Sequence, residues 1–199
     1  MRMTRFFAVA MMLVALSGCN DGGDSRGDPD PTPSVTPTSS TTPSDPPWVA
    51  KYNQAELDAY QRALSRWEQY ELRAAPIWEE GKATAGAERL FRRYFIGWRR
   101  PLSLLELYAQ NDVKVVGVPK VLSSRPTKVS LAEDGDTVIV RQCVDFSPVT
   151  VTQGGEPQDH ATADHPIVRT VNLARAAKAS APWLIVQFDA DEENPKCAG

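Results

Sequence analysis

The amino-acid sequence predicts an α+β fold in which N-terminal helices pack on a curved, mainly antiparallel sheet. Apolar residues recur at helical spacing up to Gln110, and after Asn111 the pattern changes to β-branched and apolar runs separated by turn residues. Helices followed by consecutive strands are typical of the α+β class. The length of 199 residues leaves room for one ordinary domain beside a targeting segment.

Three helices are expected in the first half of this domain. The first begins at the capping-box-like segment Asn53 to Glu56, and Pro76 is expected to kink or end it. The second carries apolar residues from Ala87 to Trp98 at the i, i+3, i+4, i+7 spacing. The third is expected to open at a second capping box, Ser103 to Glu106, and to continue to Gln110.

Five β-branched or apolar runs predict the strands of one bent antiparallel sheet. They are Val113 to Val118, Thr127 to Leu131, Thr137 to Phe146, Ile167 to Leu173 and Trp183 to Phe188. Asp134-Gly135 predicts a tight hairpin turn between two of them, and Gly154-Gly155 predicts a second chain reversal. The helices are expected to cover one face of this sheet.

Residues 1–18 have the layout of a secretory signal peptide. Two arginines precede an uncharged apolar run from Phe6 to Leu16, which is too short to span about 30 Å of hydrocarbon. The next residues, Leu16-Ser17-Gly18-Cys19, resemble the bacterial lipobox. That resemblance implies that Cys19 carries fatty acyl chains such as palmitate and holds the mature protein on the extracytoplasmic face of the cell membrane. The alternative is an ordinary signal peptide that contains a cysteine.

Residues 19–47 are expected to form a disordered tether. The segment is rich in proline, serine and threonine, and Val35 is its one large apolar residue. It therefore buries too little surface to offset the entropy of ordering it. A plain flexible linker is favoured over an O-glycosylated stalk. Residues 48–199 form the predicted domain. The net charge of −3 of the whole chain argues against nucleic acid as its main partner.

Cysteine counting predicts one disulfide bond. Once Cys19 is acylated, Cys143 and Cys197 remain as a pair, and the exported side of a bacterial membrane permits disulfides. Such a bond would pin the C-terminal tail to a strand in the middle of the sheet. The alternative is two buried free thiols.

Several short segments of the domain are shared with a known group of proteins. They are the Tyr- and Trp-rich first helix, the segment Tyr94 to Trp98, the strand Val138 to Asp145, the strand Pro182 to Val186, and Cys197. These segments resemble small secreted lipoproteins of high-GC Gram-positive bacteria and their phages, which have an NTF2-like (SnoaL-like, cystatin-related) cone. The resemblance covers roughly residues 50–199 and implies that fold, but most members are of unknown function.

The resemblance also indicates where a cavity is expected. NTF2-like cones often enclose a pocket, and in the enzymes of that fold buried Asp, His or Tyr side chains act in proton transfer. Tyr94, Phe95, Trp98 and Asp145 are therefore the candidate cavity residues. Because Asp145 ends its strand, the alternative for this residue is a turn or a pair with an arginine.

Two other clusters are weaker candidates for chemistry. The segment Asp159 to His165 holds both histidines, but their spacing suits no common zinc site, and an exposed loop is expected. The second helix region carries arginines that could contact anionic lipid headgroups or wall polymers, although the solvated face of an amphipathic helix is favoured. These are Arg89, Arg92, Arg93, Arg99 and Arg100.

The expected function is that of a non-catalytic interaction or ligand-binding module of the cell envelope. Its expected partners are the membrane, through the lipid anchor, and an envelope protein, a wall polymer or a small apolar ligand. No P-loop, dinucleotide-binding or hydrolase motif occurs, and neither a cofactor nor a metal is expected. Two alternatives are an isomerase- or cyclase-like enzyme using an NTF2-like cavity and a phage-encoded lipoprotein in superinfection exclusion.

Overall fold

A computed structural model describes residues 46–159, 165–178, 180–190 and Cys197. The signal segment, the lipidation candidate Cys19, nearly all of the tether and His160 lie outside the described residues. The fold is α+β, as predicted, with three helices packed on antiparallel strands. In chain order the elements are α1 (Gln54–Glu80), α2 (Ala85–Tyr94), α3 (Arg99–Gln110), β1 (Val113–Val116), β2 (Lys120–Ala132), β3 (Gly135–Asp145), β4 (Thr150–Gln153), β5 (Glu156–Gln158), β6 (Ile167–Ala176) and β7 (Leu184–Ala190).

Helix α1 begins at the predicted capping box. The Asn53 side chain accepts a hydrogen bond from the backbone N–H of Glu56, and the Glu56 carboxylate accepts one from the backbone N–H of Asn53. The helix continues through Pro76 to Glu80, so the prediction that Pro76 could end it is wrong. Both Pro76 and Leu72, whose carbonyl loses its helical donor there, lie on the exposed side of the helix, where water can replace that hydrogen bond.

The second helix ends earlier than predicted, and the third begins earlier than predicted but ends at Gln110 as expected. Helix α2 ends at Tyr94 because Phe95 leaves the helical path and forms a parallel bridge with Ile185 of β7. Helix α3 begins at Arg99 rather than at Ser103. Pro101 lies in its first turn, where a missing N–H costs no hydrogen bond, and this favours the earlier start.

The strands form two antiparallel sheets, so the prediction of a single sheet is wrong. The larger sheet has the order β2-β3-β6-β7 and the smaller sheet has the order β1-β4-β5. Both predicted chain reversals are present. Gly154-Gly155 joins β4 to β5, and Glu133-Asp134 joins β2 to β3, one residue before the predicted Asp134-Gly135. Gly154 and Gly155 have φ values of 59° and 84°, the region that favours glycine in a two-residue hairpin turn. Within the described residues the sheets do not close into a barrel.

The hydrophobic core lies between the helices and the larger sheet. On β3 the buried residues alternate, with Val138, Val140, Gln142 and Val144 on the helix-facing side. The register pairs Val138 with Leu173, Val140 with Val171 and Gln142 with Arg169 on β6. Across from them, the buried face of α1 presents mainly aromatic and small residues, which are Ala59, Tyr60, Ala63, Trp67, Tyr70 and Ala74.

The predicted disulfide is present in the fold. Cys143 and Cys197 are bonded, with their Cα atoms 5.4 Å apart. Cys143 alternates with the buried residues of β3 and therefore lies on the face of the sheet that is turned away from the helices. The bond thus fixes Cys197 to the outer face of a central strand.

Candidate functional site

A cavity of about 300 Å³ lies beside α1, and we call it the α1 cavity. Its walls are mainly apolar and come from α1, α3, β7 and the loops that flank the smaller sheet. Trp67, Ala74 and Trp78 of α1 line it together with Leu104 of α3 and Phe188 of β7. The cavity is also lined by two hydroxyl-bearing and two charged side chains, which are Tyr70, Tyr108, Glu71 and Arg169.

The charged residues of the cavity belong to a buried polar row that crosses three strands. Ser124, Gln142 and Arg169 occupy neighbouring register positions on β2, β3 and β6. Arg169 donates hydrogen bonds of 2.8 Å to the Glu71 carboxylate and of 2.8 Å to the Gln142 side-chain oxygen. Gln142 in turn donates to the Ser124 hydroxyl at 3.0 Å. The row therefore continues the Glu71 ion pair into the sheet.

Burial determines the electrostatics of this ion pair. Arg169 is 6% exposed, and its guanidinium carbon lies 4.7 Å from the centre of the Trp67 ring. Burial raises the pKa of Glu71, while the positive charge of Arg169 and its hydrogen bond oppose that rise. The cavity wall thus contains one ion pair, and burial makes the Glu71 carboxyl group of that pair harder to ionise.

Tyr70 adds a neutral hydrogen-bond donor to the same wall. It is 3% exposed, and burial raises the pKa of its hydroxyl, so that the phenol stays protonated. Its hydroxyl donates to no acceptor among the described residues, and the nearby indole N–H of Trp78 partly opposes the rise of its pKa. A buried donor without an acceptor costs about 1–3 kcal/mol, and the hydroxyl oxygen of Tyr70 is covered, so a ligand oxygen reaches it only if neighbouring side chains move.

A second cavity of about 240 Å³ adjoins the first. The two share Trp78, Leu104 and Phe188 as wall residues, and the second extends towards Phe95 and Arg100. Leu104 and Phe188 are partly exposed although both are large and apolar. The two cavities therefore form one apolar groove that is open to solvent along these residues and has its buried polar end at Arg169.

The structure separates the four predicted cavity residues. Tyr94 is fully buried, and the Arg66 guanidinium covers its ring at 3.9 Å. Trp98 is half-buried and lies between the guanidinium groups of Arg92 and Arg99. Neither residue lines either part of the groove, whereas Phe95 lines the second cavity.

Asp145 is a turn residue rather than a cavity residue. Its carboxylate accepts a hydrogen bond of 2.8 Å from the backbone N–H of Ser147, directly after β3. That hydrogen bond holds the pKa of Asp145 below its usual value. Asp145 does not line either part of the groove, so the alternative of a turn at this position is confirmed.

Glu71, Gln142 and Arg169 are the site residues that sequence reasoning missed. A signal for two of them was present, because Gln142 and Arg169 stand at buried alternate positions of runs that are otherwise apolar. A polar residue at such a position is buried only with partners. Glu71 gave no comparable signal, because a glutamate on a long helix is ordinarily a surface residue.

Of the candidate arginines, Arg100 lines the second cavity. The described residues of the segment Asp159 to His165 line neither cavity. His165 is exposed, while His160 and Asp164 lie outside the described residues. In the described part of the chain, no three His, Cys, Asp or Glu side chains lie close enough together to hold a metal ion. None of the described helices is long and apolar enough to cross a membrane.

Comparisons with known proteins do not identify a family. No protein-family model matches the chain, and no curated protein matches it. Among solved structures, the intermembrane space region of chloroplast protein ARC6 is similar, with a TM-score of 0.47 and 13% sequence identity. The match covers 73% of this chain and 100% of that one. A similarity of this size carries no conclusion about function.

Proposed function

We propose that this protein is an extracytoplasmic, lipid-anchored module that binds a small, uncharged and mainly apolar ligand without catalysing a reaction. The observation that carries the proposal is the α1 cavity, which combines apolar walls with one buried polar cluster. Small-molecule sites typically have volumes of about 300–1,000 Å³, apolar walls and a few placed polar groups. The α1 cavity has these features, and its partly exposed rim gives a ligand access to it.

The ion pair explains why the ligand is uncharged. Glu71 and Arg169 already neutralise each other, and the second nitrogen of Arg169 is bonded to Gln142. A charged ligand would leave water without meeting a free counter-charge, which is costly in an apolar site. An uncharged ligand would avoid that cost.

The extracytoplasmic location rests on two separate supports. The first is the signal-like N-terminus that leads into the lipobox-like segment ending at Cys19. The second is the Cys143–Cys197 disulfide, because structural disulfides persist mainly in oxidising compartments outside the cytoplasm. We further propose that the domain is related to the NTF2-like cones of small secreted lipoproteins. Helices on one face of an antiparallel sheet, with a cavity between them, support that relation.

An isomerase- or cyclase-like activity is the second candidate, and one observation favours it. A carboxyl group with a raised pKa at a cavity wall is a common feature of general acid–base sites, and Glu71 is such a group. However, Glu71 is held by Arg169 at 2.8 Å and is therefore committed to an ion pair. Ligand binding needs only the groove itself and is the better-supported function.

The binding proposal can be tested with two fluorescent probes of similar size. N-phenyl-1-naphthylamine is uncharged, whereas 1-anilinonaphthalene-8-sulfonate carries a sulfonate. We expect the purified protein to bind the uncharged probe more tightly. In the variant Ala75→Phe a ring fills the cavity, since Ala75 lines it, and the affinity should fall about tenfold or more.

The matched control is Ala55→Phe, which adds the same ring at an exposed position in the first turn of α1. This control should bind the uncharged probe like the unaltered protein. Equal binding by Ala75→Phe and Ala55→Phe, with both folded by circular dichroism, would contradict the assignment of the cavity. Tighter binding of the sulfonate probe would contradict the preference for an uncharged ligand.

The anchor is tested in cells by detergent phase partitioning. Replacing Cys19 by Ala removes the thiol that would be acylated, so the variant should leave the detergent phase or accumulate as unprocessed precursor. The double variant Cys143→Ser/Cys197→Ser keeps the lipobox and serves as the control, which should remain in the detergent phase. A Cys19→Ala protein that partitions like the unaltered protein would refute lipidation at this residue.

A further inference from the structure

A cluster of arginines lies where α1 packs beside α2. Arg66 of α1 donates a hydrogen bond of 3.1 Å to the Trp183 carbonyl and one of 2.5 Å to the Arg93 carbonyl. Its guanidinium also stacks on the Tyr94 ring. Three separate contacts thus hold one positive charge at this position on the surface.

Positive charge is concentrated around Arg66 without a compensating carboxylate. Burial lowers the pKa of Arg66, and the positive charges of Arg93 and Arg73 lower it further. Arg62 lies one helical turn before Arg66 on α1, and Arg89 lies one turn before Arg93 on α2. Both Arg62 and Arg89 are exposed. In the described part of the chain none of the five makes an ion pair with a carboxylate. We call this surface the basic face, and it consists of Arg62, Arg66, Arg73, Arg89 and Arg93.

The other arginines of the neighbouring helices differ from those of the basic face. Arg92 pairs with Glu88 at 2.8 Å, and Arg100 lies 4.0 Å from the Asp189 carboxylate. Arg99 lies over the Trp98 ring. The arginine patch predicted from the sequence is therefore divided in the structure, and its unpaired members join arginines of α1 that are distant in sequence.

Two exposed apolar side chains flank the basic face. Leu72, directly before Arg73 on α1, is 70% exposed, and Ile96, shortly after α2, is 56% exposed. Arginines beside exposed aliphatic residues are typical of surfaces that rest in the interface of an anionic bilayer. A soluble anionic polymer offers no apolar layer to cover Leu72 and Ile96, so this combination favours a membrane.

We propose that the basic face docks the domain on an anionic phospholipid surface. Guanidinium groups bind the phosphates of the lipid headgroups, while Leu72 and Ile96 enter the boundary between headgroups and acyl chains. A tether spanning residues 20–47 reaches about 87 Å as a polyproline II helix, so an anchored domain stays within reach of the bilayer. The inference goes beyond ligand binding and uses the proposed anchor only to place the domain near the lipid.

The test measures how an unlipidated chain of residues 20–199 binds to vesicles. Every described element and the whole core belong to one compact unit, Pro43–Gly199, so this chain retains all of them. Sedimentation with vesicles of phosphatidylglycerol and phosphatidylcholine is compared with sedimentation with phosphatidylcholine alone. We expect binding only to the anionic vesicles, with an affinity that falls as the salt concentration rises.

The double variant Arg73→Gln/Arg93→Gln removes two exposed charges from the basic face and spares Arg66, which has structural contacts. Each basic residue near an anionic surface contributes about 1 kcal/mol to membrane binding. Losing two of them should therefore lower the affinity for anionic vesicles roughly thirtyfold. The control Arg125→Gln/Lys128→Gln removes the same charge from exposed positions on β2 and should bind like the unaltered chain. Equal losses in the two double variants would overturn the assignment of the face.

Two further measurements separate the membrane from other partners. Leu72→Asn keeps all charges and should reduce vesicle binding about tenfold, because it removes the aliphatic contact. Tighter binding to soluble polyglycerol phosphate than to vesicles, with no effect of Leu72→Asn, would overturn docking on lipid. The cavity variant Ala75→Phe should bind vesicles normally, so a failure of the ligand-binding proposal would be seen separately.

Discussion

The two ends of the helix-facing side of the larger sheet are built in different ways. At one end, the paired residues Val138 and Leu173 pack with Ile185 beneath the helices, and all three are fully buried. At the other end, Gln142 pairs with Arg169, whose guanidinium reaches Glu71 of α1. The first end is an apolar core bounded by a second ion pair, Asp136 with Arg175, whereas the second is a polar row beside an open cavity.

This difference indicates which end of the sheet can hold a ligand. An apolar core gains stability from close packing and leaves no space for a ligand. A buried ion pair contributes little net stability, and of the pairs Glu71–Arg169 and Asp136–Arg175 only the first lines the α1 cavity. We therefore place the binding site at the polar end, where the α1 cavity adjoins Glu71 and Arg169.

The disulfide lies at the polar end as well. Cys143 is adjacent to Gln142 in β3, and its register partner Val168 is adjacent to Arg169 in β6. The bond therefore reinforces, from the outer face, the part of the sheet whose inner face is less well packed. The apolar end has no covalent reinforcement in the described part of the chain.

The largest effect is expected from breaking the ion pair. Arg169→Ala leaves the Glu71 carboxylate buried without its partner, and the free energy of unfolding should fall by about 3–5 kcal/mol. Urea denaturation followed by tryptophan fluorescence measures this change. At the apolar end, Leu173→Ala should cost about 2–5 kcal/mol through the cavity that it creates.

The double replacement Glu71→Leu/Arg169→Met sharpens the comparison between the two ends. Removing both charges should restore most of the stability that Arg169→Ala loses, because no unpaired buried charge remains. A double variant as unstable as Arg169→Ala would show that the arginine stabilises the fold through contacts other than the Glu71 pair.

Reduction of the disulfide is expected to lower the free energy of unfolding by a similar or smaller amount than Arg169→Ala does. The bond closes a segment with a sequence separation of 54, and the chain-entropy relation assigns about 4 kcal/mol to such a loop. Hydrogen exchange should show that the amides around Gln142 and Arg169 lose more protection than those around Val138 and Leu173. A uniform loss at both ends would contradict local reinforcement by this bond.

The smallest effect concerns pH. Because burial raises the pKa of Glu71 in the folded state, the folded protein binds this proton more tightly than the unfolded chain does. The corresponding stability is present below the ordinary glutamate pKa of about 4.3 and is lost as the pH rises through the raised value. Unfolding measured from pH 4 to 8 should therefore show the unaltered protein losing stability relative to Glu71→Gln. The opposite trend would show that Arg169 outweighs burial.

Local features of this protein were predictable because a few neighbouring residues encode them. The capping box at Asn53 and the hairpin turns before Gly135 and at Gly154 depend on side chains or backbone conformations within four residues. The alternating run in β3 likewise specified its buried face. The pairing of Cys143 with Cys197 followed from counting rather than from geometry.

The candidate site depended on the tertiary structure. Glu71 and Arg169 are 98 positions apart, and they meet only because the rotation of α1 and the register of β6 bring them to one point. The same long-range packing stops α2 at Tyr94 and lets α1 pass through Pro76. It also separates Asp145 from the cavity and assigns the arginines to different partners. Periodicity specifies which face of an element is buried, whereas contact between distant elements specifies which polar residues on that face find one another.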